Sequence, residues 1–165
     1  MNKIDIKKLK ESAVSLFDDK WALITAGNKD SYNTMTASWG AMGELWNKDV
    51  CFIFIRPQRF TYEFTEREDY FTVSFFGEEY KKALTFCGRN SGRDVDKAKE
   101  TGLTPIEIGG SMSFRESEII LVCKKLYYQD LEPRGFVDTR LDEANYPSKD
   151  YHRMYVGEIV EAYTK

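Results

Sequence analysis

The sequence has little of what most self-sufficient active sites are built from. His152 is the only histidine in 165 residues. A Ser-His-Asp triad therefore has a single candidate base, and a multi-histidine metal centre cannot form within one chain. Cys51, Cys87 and Cys123 are odd in number, far apart and without a CxxC pair. That excludes a disulfide framework and a cysteine zinc site, and leaves three reduced thiols as the expectation. No apolar run approaches the roughly 20 residues that span a bilayer. The opening MNKIDIKKLKES lacks the apolar centre of a signal peptide, so a cytoplasmic location is expected. Excess positive charge is missing too: Lys+Arg number 24 against Asp+Glu 27, with a pI near 5.4. Nucleic acid has no basic field to follow. With neither metal nor catalytic side-chain sets in view, the chemistry is expected to reside in something bound.

What is present is aromatic and β-branched. Aromatic residues make up 15% and the hydrophobic set 42%, gathered into short runs that favour a mainly β body with short helices. At this length one domain over residues 1–165 can bury its own core. Residues Ile4 to Phe17 read as an amphipathic helix. Trp21 to Gly27 and Ser31 to Trp39 read as a hairpin, AMGELWNKD as a connection, and Val50 to Ile55 and Tyr70 to Phe76 as strands. A helix is expected over EEYKKALTFCG with Gly88 just past its end, and a second over DVDKAKET, opened around Ser91 and ended by Gly102. Thr104 to Ile108, Glu118 to Leu131 and the final YHRMYVGEIVEAY read as strands, with a Gly109-Gly110 turn and a long polar loop from Glu132 to Asp150 between them. The length of the Glu118 strand points to bending around a barrel.

Two strand ends carry groups suited to an anion. In NTMTASWG, Thr34, Thr36 and Ser38 recur at period two, which turns their hydroxyls to one face and Met35, Ala37 and Trp39 to the other. In IRPQRFT, Pro57 cannot donate to a ladder, so the strand should stop and leave Arg56, Arg59 and Thr61 on a loop. Two guanidinium groups and a hydroxyl can hold a phosphate by charge-assisted bonds. The same residues also fit plainer roles. Arginines at strand ends are commonly solvated, alternating hydroxyls also mark an exposed sheet face, and a strand Trp often packs in a core. Ser91 fits a helix cap, a role that leaves Arg93 unaccounted for. His152 could touch a ligand or simply begin a strand.

The ordered succession NTMTASWG, RPQRFTYEF, FTVSFF, CGRNSGRDVDKAKETGLTP and HRMYVGEIV resembles the flavin reductase-like, FMN-binding split-barrel family, which includes flavoredoxin-type members; the likeness runs from about Trp21 to Val160. The resemblance implies a six-stranded split β-barrel of Greek-key character, a homodimer, and FMN held noncovalently near the dimer interface. Carried onto matching positions, it implies contacts from Asn33, Thr34, Met35, Thr36, Ala37 and Ser38 around the ring and ribityl chain, with Trp39 lining the ring pocket. Arg56, Arg59 and Thr61 would meet the phosphate, and Ser91, Gly92, Arg93 and His152 match further family positions. SAVSLF stands where similar proteins carry an Asn-Pro dipeptide, which puts the N-terminal contacts in question. The implied activity is hydride transfer from NAD(P)H to flavin, a reaction that needs stacked rings and no protein nucleophile, so no catalytic side chain is assigned. The alternative is a noncatalytic FMN-binding electron carrier fed by a partner protein. A split barrel holding another planar or phosphorylated ligand, such as haem or a pyridoxal derivative, is a third reading.

Overall fold

In the computed structural model, which describes all 165 residues, the β-branched and aromatic runs share one antiparallel sheet. Its strands are β1 (Asn2–Ile4), β2 (Ala22–Asn28), β3 (Ser31–Ala37), β4 (Gly40–Leu45), β5 (Lys48–Ile55), β6 (Tyr70–Phe75), β9 (Ile119–Asp130) and β10 (Arg153–Thr164). The spatial order is β3-β2-β6-β9-β10-β5-β4, with β1 on the end of β10 that β5 leaves uncovered. A separate hairpin joins β7 (Pro105–Ile108) to β8 (Ser111–Phe114). The two ends of the path, β3 and β4, do not pair with each other, so no ladder joins the ends of the sheet.

Alternation explains the interior. Ala22, Ile24 and Ala26 of β2, Cys51, Ile53 and Ile55 of β5, and Phe71, Val73 and Phe75 of β6 sit at period two and point into one core, joined by Met35, Leu121, Cys123 and Tyr155. The strands that supply this core are β2, β3, β5, β6, β9 and β10. A second, smaller core of Leu23, Phe76, Leu84, Cys87, Leu103 and Phe114 lies behind the sheet. It is covered by α3 (Lys81–Arg89) and α4 (Lys97–Thr101); the other helices are α1 (Ala13–Ser15), α2 (Phe60–Arg67) and α5 (Thr139–Asn145). Asp96 caps α4 by accepting from the Lys99 amide at 3.1 Å, and Gly102 ends it at φ 72. No helix is long and apolar enough to cross a membrane.

Several local expectations change. Ile4 to Phe17 is not one helix: Ile4 ends β1, because β10 offers a free edge that a lysine-rich segment can complete, Ile6–Lys8 makes one 3-10 turn, and α-helix begins only at Ala13 before passing into a π-helical turn at Leu16–Lys20. AMGELWNKD is not a connection but β4 and a tight hairpin into β5, with Leu45 opposite Lys48. Trp46 and Asn47 both take φ 58, the left-handed pair that two-residue hairpins need, without the glycine that usually signals it. SMSF after the Gly109-Gly110 turn forms β8. The Glu132 to Asp150 loop contains α5. Gly88 lies inside α3, and Asn90 follows as its cap.

The long β9–β10 ladder shifts register between Val156 and Gly157 and again between Ile159 and Glu161, and such bulges let it curve. At Gly157 a Cβ would stand 2.6 Å from the Phe71 ring and 2.8 Å from Cys123 Cβ. Gly157→Ala is therefore expected to overpack the core and to destabilise the fold by about 1–3 kcal/mol, read as a lowered urea midpoint; an unchanged midpoint would show that the strand shifts at no cost.

Candidate functional site

β3 pairs only with β2, so one of its edges keeps backbone donors and acceptors free of any ladder. Met35 and Ala37 point into the barrel core as the alternation requires. The strand ends at Ala37, however, so Ser38 and Trp39 fall outside it and the expected three-hydroxyl face is broken. Thr34 is buried with its hydroxyl 2.8 Å from that of Thr25. Thr36 donates to the Leu84 carbonyl. Only Ser38 keeps an exposed hydroxyl without a partner, beside Trp39, which is 47% exposed.

The C-terminal turns of α3 lie against this strand, and Gly88 permits the approach: a Cβ there would already be 3.3 Å from Thr36 Cβ. The helix's last carbonyls then collect cations. Arg59 donates to the Gly88 carbonyl at 2.9 Å. Lys97, only 6% exposed, donates to the Cys87 carbonyl at 2.8 Å and to the Thr34 carbonyl at 2.7 Å. Such contacts are favourable at the negative end of the helix dipole, but a carbonyl cancels no full charge. Neither cation has a carboxylate in ion-pair reach. Burial holds the Arg59 guanidinium below its ordinary range. It pushes the Lys97 ammonium down to about 8, which the Cys87 thiol opposes and the charge of Arg59 reinforces. Lys97 also has a third N–H beyond its two carbonyl partners.

A cleft of about 220 Å³ opens over these groups, lined by Arg59, Phe60, Thr61, Arg89, Ser91 and Lys97 among others. Arg59 is the N-cap residue of α2 and provides no side-chain cap; the Tyr62 amide donates to the Arg59 carbonyl at 2.9 Å, and the Phe60 and Thr61 amides are left as donors without a partner in the protein. Thr61 itself is buried, accepting from Asn33 Nδ2 at 2.8 Å. A second cleft of about 220 Å³ shares Met35 and Arg59 with the first and runs past Ser38, Trp39, Phe54, Arg56 and His152. The pair forms an elongated groove, cationic at one end and aromatic at the other. An anion joined to a flat ring system matches that donor set.

The remaining expected residues are placed differently. Arg56 is not a free guanidinium: it is ion-paired with Asp150 at 2.6 Å, bonded to the Asn145 carbonyl at 2.9 Å and stacked 5.0 Å over Tyr146. Ser91 does not cap a helix; it accepts from the Arg93 amide within a turn, and Asp96 does the capping. Gly92 presses against Asn33, where a Cβ would lie 1.9 Å from Oδ1. Arg93 is paired with Glu63 and lies over Phe60, 4.6 Å from its ring centre. His152 is buried, with Nδ1 2.8 Å from the Tyr146 hydroxyl and its ring 5.1 Å from Trp39. Burial, aided by the Arg56 charge against a smaller opposing pull from Asp150, lowers its pKa to about 4.

Lys97 and Arg89 join the cleft without any local motif to mark them. Lys97 stood in a helix as one lysine among several, and its only sequence signal is that it follows the capping residue Asp96 on the side that α4 turns inward.

A family model described as "Flavin reductase like domain" matches residues 14–165. None of the curated proteins compared matches the chain. The fold is similar to that of flavoredoxin from Methanosarcina acetivorans, at TM-score 0.68 and 22% identity over 88% of this chain and 68% of that one. It is also similar to an FMN-binding domain of flavin reductases-like enzyme from Shewanella baltica, at TM-score 0.71 and 17% identity over 99% and 76%. An NADH:FAD oxidoreductase from Streptomyces globisporus, solved with NAD and FAD fragments, aligns at TM-score 0.66 and 15% identity over 88% and 74%. At these identities the likeness is one of fold.

Because His152 titrates near 4 when folded against 6.5 ordinarily, the unfolded chain binds more protons between those values. Stability should fall as pH drops through that window and be fully present above it. His152→Gln should flatten this part of the stability-pH profile. Equal slopes for the two proteins in thermal unfolding between pH 6.5 and about 4 would remove the assignment.

Proposed function

The chain belongs to the flavin reductase-like family, and from that premise we propose that it binds FMN noncovalently and passes a hydride from NAD(P)H to it. The observation that carries the reading is the pair Arg59 and Lys97, two cations held on backbone carbonyls with no carboxylate to neutralise them. A phosphate monoester with nearly two negative charges supplies what that end of the groove lacks. Arg59, Lys97 and the first-turn amides of α2 would hold the phosphate, with Arg89 at the rim. The exposed hydroxyl of Ser38 and the free edge of β3 would meet the ribityl chain and the polar edge of the ring. Trp39, Phe54 and Met35 would exclude water from the ring's flank. When bound, the flavin supplies the capacity to accept an electron pair as hydride. Asn33, Thr34 and Thr61 support the groove from beneath through their buried hydrogen bonds, and Arg93 braces α2 through Glu63. Trp46, which is 54% exposed and packs edge-on to Tyr127 with centroids 5.9 Å apart, supports an aromatic outer surface suited to a homodimer.

Arg59→Ala and Lys97→Met should each weaken FMN binding roughly tenfold to a hundredfold, the worth of a charge-assisted bond, while riboflavin, which lacks the phosphate, binds as before. Fluorescence quenching measures both affinities, and an unchanged preference for FMN over riboflavin would overturn the phosphate assignment. Anaerobic addition of NADH or NADPH to the FMN-loaded protein should bleach its visible absorbance; bleaching by dithionite alone would make it an electron carrier instead.

A further inference from the structure

His152 is the only histidine of the chain, and its two ring nitrogens have different surroundings. Nδ1 lies 2.8 Å from the hydroxyl of Tyr146, a residue 3% exposed. Nε2 makes no hydrogen bond within the protein. It is not sealed away either, since the buried side-chain atoms without a partner are Ser111 Oγ and Ser117 Oγ. It therefore opens toward the aromatic end of the groove, which His152 lines with Trp39 and Phe54.

Which nitrogen holds the proton depends on which way the phenol donates. The Tyr146 hydroxyl has no hydrogen-bond partner within the protein other than Nδ1. Its proton is satisfied only by pointing at Nδ1, because a phenol that accepted from Nδ1–H would leave its own O–H without an acceptor. A donor at Nδ1 makes that nitrogen the acceptor, and a neutral imidazole must then hold its single hydrogen on Nε2. Tyr146 is itself held: Arg56 lies 5.0 Å over one face, Tyr151 stacks at 4.8 Å, and Phe136 packs at 5.8 Å. Arg56, Asp150 and, on the Tyr146 side, Asp142 are the charged groups that face this pair.

We propose that Tyr146 is a positioning residue that locks His152 in the Nε2–H tautomer, so that a neutral N–H donor faces the ring end of the groove. Its use rests on the flavin reading: a donor there would meet a ring carbonyl or nitrogen that gains charge on reduction. A neutral donor can strengthen that bond without adding a formal charge to a site that already holds Arg59 and Lys97.

The single histidine makes the test direct, because the imidazole signal needs no assignment. Long-range proton–nitrogen NMR on the full, flavin-free chain at neutral pH should show one dominant Nε2–H tautomer. Tyr146→Phe should turn it into a mixture and raise the imidazole pKa, because the neutral ring loses a bond; Tyr151→Phe, the packing control, should leave the tautomer unchanged. In FMN-loaded protein, Tyr146→Phe should weaken FMN by about fivefold, the worth of one neutral hydrogen bond. A dominant Nδ1–H form in the wild type would overturn the proposal even if Tyr146→Phe failed to fold, as would an unchanged tautomer in a folded variant. Failure to bind FMN would instead strike the flavin reading, because the tautomer is read without flavin.

Discussion

The groove depends on the way the C-terminal end of α3 meets the edge of β3. Thr36 bonds to the Leu84 carbonyl, Lys97 to that of Cys87 and Arg59 to that of Gly88, so consecutive turns of one helix end gather a strand, a second helix and the loop before α2. At Cys87 and Gly88 the contact satisfies carbonyls that a helix terminus leaves without partners. It also places two cations where only partial charges answer them. Had those carbonyls been carboxylates, the same packing would have made neutral ion pairs and no anion site.

The contrast within IRPQRF makes the point. Arg56 and Arg59 are three positions apart and alike in chemistry. Arg56 is taken by Asp150 and stacked on Tyr146, so its charge is neutralised and its work is to anchor the segment between β9 and β10. Arg59 meets a carbonyl and keeps its charge. The groove thus has a cationic end at Arg59 and Lys97 and a nearly neutral end at Arg56 and His152, where burial keeps the imidazole uncharged above a pKa of about 4. A ligand with an anionic tail and a flat, neutral ring finds both preferences in one direction.

Much of the frame was legible in the chain. The hairpin of β2 and β3, the strands β5, β6, β9 and β10, and the stop of α4 at Gly102 follow from alternation and from local turn and cap chemistry. The misses have local causes of two kinds. Trp46 and Asn47 adopt left-handed backbone without glycine, so the β4–β5 turn carries no sequence mark. β1 forms only because β10 leaves an edge for it, which a lysine-rich segment cannot announce.

By itself the sequence determined most of the sheet strands and the family, because these rest on periodicity and ordered motifs. Only the tertiary structure decided which charges remain uncancelled. Lys97 reaches the Thr34 carbonyl across 63 positions and Arg59 reaches that of Gly88 across 29, while Arg56 finds Asn145 across 89. Whether a guanidinium or ammonium is neutralised depends on which acceptor lies within about 3 Å of it, and pairings at such separations are set by packing rather than by any local pattern.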